Sequence, residues 1–127
     1  SIGLTVLALT LARLAWRVGH RPPSLPSAMP VWEKAAAHAT HGVFYAFMIL
    51  VPLTGWVMTS AGTRPLNWFF LFDVPKFAVT KGDAIVGLSS EGHEVMGFAW
   101  VALIIVHIAA ALRHHVVLKD NVLRRMI

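Results

Sequence analysis

Three long apolar segments, which hold few charged residues, most restrict what this chain of 127 residues can fold into. The first covers Ile2 to about Trp16, the second about Ala35 to Thr59, and the third about Val86 to Leu118. A bilayer crossing takes about 20 predominantly apolar residues, so the second and third segments are long enough, whereas the first is short. The pattern predicts an all-α membrane protein with about three spans.

The composition agrees with a membrane protein and excludes several other classes. Hydrophobic residues make up 57% of the chain and charged residues 13%, whereas soluble domains are about one quarter charged. The net charge of +5 does not indicate nucleic-acid binding, because the basic residues gather at the ends of the apolar segments. The absence of cysteine excludes disulfides, thiolate metal sites and a cysteine nucleophile. No internal repeat divides the chain, so residues 1–127 are expected to form a single membrane domain.

The connecting segments predict the orientation. Residues 17–34 are proline-rich and predict an extended loop, and residues 60–86 contain aromatic side chains that suit a short helix or loop at the membrane interface. The first loop, its flanks and the C-terminal end carry most of the Lys and Arg residues: Arg13, Arg17, Arg21, Lys34, Arg113, Lys119, Arg124 and Arg125. Basic loops favour the cytoplasm, so the C-terminus is expected to be cytoplasmic and the aromatic loop to lie outside.

Two histidines in the third segment share one side of a helix. His93 and His107 are fourteen residues apart, which is roughly 21 Å along the axis with a net rotation of about −40°. A polar side chain inside a bilayer is costly unless it is paired or bonded, so it is a functional hypothesis by default. A neutral imidazole suits axial ligation of haem iron. A single buried histidine is more often a packing residue, but the shared face favours two metal ligands, one for each of two haems.

Three further residues are candidates for contact with a cofactor. Arg13 has apolar neighbours and shares a face with Arg17, so it suits a haem propionate, or it extends to the lipid headgroups. His38 and His41 lie one turn apart near the start of the second span. They suit hydrogen bonds to haem propionates or a quinone pocket, or ordinary packing at a helix end.

The end of the chain resembles the last helix and tail of the bacterial cytochrome b-561 family. The matching features are His93, a second histidine fourteen residues on, an alanine-rich turn, His114–His115 and a KDN-containing tail. The second span resembles the third helix of that family in the spacing of His38, His41, Tyr45, Pro52 and Gly55. The family consists of four-helix, up-and-down, di-haem proteins of the bacterial inner membrane.

The resemblance implies that His93 and His107 each ligate one of two b-type haems. The two remaining ligands would come from the first and second helices of the family, so the first helix and the start of the second are expected to be missing from this chain. The implied function is electron transfer between a donor on the periplasmic side and the membrane quinone pool. Some members of the family oxidise superoxide and reduce quinone.

Several alternatives stay open at this point. One is a cytochrome b subunit that anchors a hydrogenase or dehydrogenase. Another is a small transporter whose histidines relay protons, although no acidic residue follows Glu94 in the third span. A non-redox assembly protein is the third. The expected partners are the lipid bilayer, a quinone and an electron donor that the residues do not identify. A homodimer is compatible with the sequence, and no nucleic acid is expected.

Overall fold

The computed structural model describes residues 1–20, 30–117 and 119, and three long helices dominate it. Helix α1 spans Ile2–Gly19, α2 spans Val31–Ser60 and α3 spans Ala84–Val116. Their lengths are about 27, 45 and 50 Å at 1.5 Å per residue. Each helix is long and apolar enough to cross a membrane, so the expected all-α transmembrane fold with three spans is confirmed.

The helices extend further than the apolar pattern alone predicts. Helix α1 continues to Gly19, and α2 begins at Val31, directly after Pro30. The predicted loop of residues 17–34 is therefore shorter in the structure, and residues 21–29 lie outside the described residues, as does most of the C-terminal tail motif. Before α3, the Asp83 carboxylate accepts hydrogen bonds from the backbone N–H of Thr80 at 2.8 Å and from its hydroxyl at 3.0 Å. This turn fixes the start of the third helix.

Helix α2 packs against both of the other helices. Pro52 in its middle is buried, and it meets α1 at Gly3, where an added Cβ would lie 3.7 Å from the proline Cβ. Elsewhere large apolar side chains point outward, for example Val18 and Phe98, with 89% and 72% of their surface exposed. Because a water-soluble bundle buries such side chains, the outer faces of these helices suit lipid.

A short β-hairpin lies in the connection between α2 and α3, where the sequence predicted a short helix or loop. Strand β1, Asn67–Trp68, pairs antiparallel with β2, Phe72–Asp73. The segment after the hairpin is tied to α2, because the Trp56 indole donates to the Pro75 carbonyl at 3.0 Å. The start of α1 lies against the same hairpin. We call this end of the molecule the hairpin side.

Candidate functional site

His93 is held against α2 by a hydrogen bond to the main chain. Its Nδ1 lies 2.9 Å from the Val51 carbonyl oxygen and 3.1 Å from the Thr54 hydroxyl. A carbonyl oxygen can only accept, so the neutral ring carries its proton on Nδ1 and donates it to Val51. The lone pair of Nε2 is then available for a metal ion. A histidine ligand whose other nitrogen donates to a carbonyl is the usual arrangement in metal sites.

A glycine on α2 allows this close approach of the ring. A Cβ built on Gly55 would lie 3.1 Å from Cε1 and 3.4 Å from Nδ1 of His93. A side chain at this position would therefore push the imidazole away from its acceptor, the Val51 carbonyl. Gly55 belongs to the spacing on α2 that resembles the cytochrome b-561 family. Its structural role here is to leave room for the His93 ring.

A cavity of about 420 Å³ opens beside His93 on the hairpin side. Its walls come from α1, α2 and α3 and include Gly3, Pro52 and Trp100. The Trp100 indole nitrogen is buried and has no hydrogen-bond partner among the residues that the structure describes. An unpaired buried donor is costly, so the cavity suits a large group that is mostly apolar and offers an acceptor. A macrocycle with polar substituents fits that description.

His107 lies fourteen residues further along α3 than His93 and also faces α2. Its ring meets Phe44 edge to face at a centroid distance of 5.1 Å and His41 at 5.9 Å. It borders two cavities, one of about 260 Å³ towards Ala36 and Ala111 and one of about 370 Å³ towards Arg13. Both histidines of α3 therefore lie beside open space next to α2, separated by fourteen residues of helix.

Two arginines of α1 converge on one phenol oxygen beside His107. Arg13 Nε donates to the Tyr45 hydroxyl oxygen at 3.2 Å, and Arg17 Nη1 donates to the same oxygen at 3.3 Å. The Arg17 guanidinium also lies over the Tyr45 ring, 5.6 Å from its centroid. These two positive charges line the 370 Å³ cavity together with His41 and His107. The electrostatics of this cavity favour an anionic group such as a carboxylate.

The structure separates the two histidines of α2. His41 lines both cavities next to His107, whereas His38 is exposed and borders none of the three cavities. Among the described residues, no group of three or more His, Cys, Asp or Glu side chains is placed to hold a metal ion. The pair on α2 therefore does not form a metal site of that kind within this part of the chain.

Acidic and basic groups meet at the end of α3 opposite the hairpin. Glu33 Oε1 lies 3.8 Å from Arg113 Nη1, and Glu33 Oε2 lies 4.0 Å from His114 Nε2. These long distances describe a loose ion pair, and the Arg113 side chain is 56% exposed, so its contribution to stability is small. Sequence reasoning did not anticipate this contact, nor the roles of Thr54 and Trp100. This contact and these two roles can be recognised only once the helices are packed against one another.

Comparison with known proteins identifies the family of this chain. The family model of prokaryotic cytochrome b561 matches residues 1–127. The chain belongs to the prokaryotic cytochrome b561 family. Cytochrome b561 homolog 2 of Escherichia coli K12 is 34% identical over 130 residues, covering 100% of this chain and 67% of the relative. Homolog 1 from the same organism is 34% identical over 125 residues, covering 98% of this chain and 69% of the relative.

A relative from Yersinia pestis, named probable superoxide oxidase CybB, is 28% identical over 127 residues and matches 99% of this chain and 70% of its own length.

Membership of the cytochrome b561 family confirms the resemblance drawn from the sequence. Membership indicates a multi-pass membrane protein for electron transfer, and it implies b-type haem. The residues beside His93 fit such a group, since they offer an imidazole nitrogen and a buried donor that have no partner within the described part of the chain, together with an apolar cavity.

Proposed function

We propose that this cytochrome b561 carries electrons between a donor on the hairpin side and the membrane quinone pool through two b-type haems. His93 and His107 would each ligate one haem iron. Haem supplies one-electron redox chemistry at its iron when it is bound. The observation that carries the proposal is the His93 Nδ1 hydrogen bond to the Val51 carbonyl at 2.9 Å, which leaves Nε2 free on the side of α3 that His107 shares.

The protein residues would have distinct tasks in this mechanism. The Val51 carbonyl keeps the proton on Nδ1 of His93 and fixes the plane of the ring. Arg13 and Arg17 offer positive charge to a propionate near His107. His41 borders the same cavity, where it can donate a hydrogen bond to a propionate or a quinone oxygen. If protein imidazoles hold each haem, the haem would supply one-electron transfer rather than oxygen binding.

The distribution of basic residues supports an orientation for the protein. The end of α1, the start of α2 and the end of α3 carry Arg17, Lys34 and Arg113, and basic ends favour the cytoplasm. The hairpin side would then face the outside of the bacterial inner membrane, and the C-terminus would be cytoplasmic. Reporter fusions at the C-terminus and within residues 78–82 test this orientation, because only a fusion on the cytoplasmic side should give a fluorescent protein.

Superoxide is the donor that the name of the Yersinia relative suggests. Oxidation of superoxide releases one electron and dioxygen, and a quinone takes up two electrons and two protons, so two superoxide ions would be used for each quinol. An enzymatic source of superoxide should reduce the purified protein, and added quinone should reoxidise it. If superoxide leaves the absorption spectrum unchanged while another reductant reduces the protein, superoxide is not the donor.

Haem counting tests the assignment of the ligands. The natural full-length protein should contain two haems in a pyridine haemochrome assay, and the variants His93→Ala and His107→Ala should each contain one. His38→Ala is the matched control, because His38 is exposed and away from the cavities, and it should keep both haems. Two haems in both α3 variants would contradict the assignment, and a stable protein without colour would contradict the function.

A further inference from the structure

The tip of the β-hairpin exposes large apolar side chains. Phe70 is 97% exposed, Leu71 is 72% exposed and Phe72 is 57% exposed. We call residues Phe69–Phe72 the hairpin tip. Single exposed apolar residues are ordinary on protein surfaces, but four consecutive ones form a patch that indicates contact with another apolar phase. No part of the proposed electron-transfer function uses this patch.

The backbone at the tip is unfavourable for the residues that occupy it. Phe69 and Phe70 have φ angles of 47° and 63°, which lie in the left-handed region where a bulky residue is an outlier. Glycine or asparagine would adopt this turn at lower cost. Two phenylalanines in these positions indicate that the rings themselves serve a purpose on the surface. The hydrogen bond from Leu71 N–H to the Trp68 carbonyl at 3.0 Å closes the turn.

The base of the hairpin is bound to the first turn of α1. The Ser1 hydroxyl accepts a hydrogen bond from Phe69 N–H at 3.0 Å and donates to the Asn67 carbonyl at 3.1 Å. The Trp68 indole donates to the Thr5 hydroxyl at 3.0 Å. Since α1 is one of the membrane-spanning helices, these contacts hold the hairpin beside the apolar surface of a span instead of projecting it into water.

The hairpin tip contains no charged residue, and the nearest charged side chains lie at the base of the hairpin. Residues 65–72 contain no charged side chain. Asp73, the first charged residue after the tip, accepts a hydrogen bond from the Asn67 amide at 2.9 Å. Further along the chain, the Lys76 ammonium donates to the carbonyls of Gly62 and Arg64. These polar contacts therefore lie at the base of the hairpin and the apolar tip at its far end, which is the pattern of an element at a membrane interface.

We propose that the hairpin tip inserts into the lipid of the adjacent leaflet. The base of the hairpin is bonded to the start of α1, a membrane-spanning helix whose Ile2 is 74% exposed, so lipid rather than a protein partner is the occupant that its surroundings favour. The inserted rings keep the hairpin against Ser1 and Thr5, beside the cavity next to His93, of which Leu66 forms part of the wall. This proposal does not depend on how many haems the protein binds.

Spin labelling tests the insertion directly, because this chain contains no cysteine. The full-length protein, with any cysteine outside this chain replaced by serine, would carry Phe70→Cys with a nitroxide label in vesicles of phosphatidylethanolamine and phosphatidylglycerol. Power saturation would compare collision with dioxygen, which concentrates in lipid, and with a water-soluble nickel chelate. Lys81→Cys, at an exposed position of the same connection, is the matched control.

A label at position 70 should collide with dioxygen at least several times more readily than with the nickel chelate, and the label at position 81 should show the opposite preference. If both labels prefer the nickel chelate, the tip lies in water and the proposal is wrong. If the label at position 70 is shielded from both reagents, a protein surface covers the tip, which also overturns it. Leu71→Cys, which keeps Phe70, replaces the first variant if that variant does not fold.

Discussion

The space at Gly55 leads to a graded prediction about the His93 ring. In Gly55→Ala the new methyl group would lie 3.1 Å from His93 Cε1 and 3.4 Å from Nδ1, against an ordinary contact of about 3.5–4.0 Å. The ring must therefore move by a few tenths of an ångström, and it can only move away from α2. That movement lengthens the 2.9 Å hydrogen bond to Val51. The variant should keep its fold but hold the haem proposed at His93 in a changed position.

The free-energy change combines two opposing effects. Overpacking a tight contact costs about 1–3 kcal/mol, whereas replacing glycine by alanine inside a helix gains about 0.5–1 kcal/mol. Gly42→Ala provides the control, because it lies in the same helix and a Cβ there meets nothing within 4 Å. That variant should show the gain alone and raise the melting temperature slightly. Gly55→Ala should fall below it by about 1–3 kcal/mol, and Gly55→Val should fall further.

Redox titration and haem counting complete the assay. If the two proposed haems are present, Gly55→Ala should shift the midpoint potential of one and leave the other unchanged, and Gly55→Val should lose part of the haem proposed at His93. Gly42→Ala should behave as the unaltered protein in both measurements. If Gly55→Ala and Gly42→Ala are equally stable and have identical potentials, the close approach of His93 to α2 has no functional role.

Two further variants test neighbouring contacts. Tyr45→Phe removes the oxygen that accepts from both Arg13 and Arg17, so the melting temperature in detergent should fall by an amount equivalent to about 1 kcal/mol; an unchanged value would mean that water replaces the phenol. Trp100→Phe removes a buried donor that has no partner within the described residues. If the haem proposed at His93 accepts this hydrogen bond, its absorption band should shift, whereas an unchanged spectrum would show that haem does not accept it.

The spans were predictable from the sequence, but their ends were not. Long apolar runs identify membrane helices because the bilayer requires about 20 such residues. The helices continue beyond those runs, however, since backbone hydrogen bonding carries α1 to Gly19 and starts α2 at Val31. The hairpin was not predictable from the sequence for a different reason. Strands of two residues are too short to show any alternation of apolar and polar positions.

The candidate site was only partly predictable, because its partners are contacts between helices. The positions of His93 and His107 on one helix face follow from their spacing. The acceptor at Val51 is a backbone oxygen, which has no signal in the side-chain sequence. His38 and His41 could not be distinguished in advance, because α2 is apolar on several sides and therefore does not show which face meets the other helices.

The acceptor of the His93 proton has a consequence for how this protein can evolve. A main-chain oxygen is present whichever side chain occupies position 51, so no single substitution there deletes the group that orients the imidazole. Drift among apolar residues at that position leaves the tautomer intact. Position 55, one turn further along the same helix, is the sensitive one, because any side chain there would enter the space of the ring. The orientation of the imidazole thus depends on the absence of a side chain rather than on the identity of one.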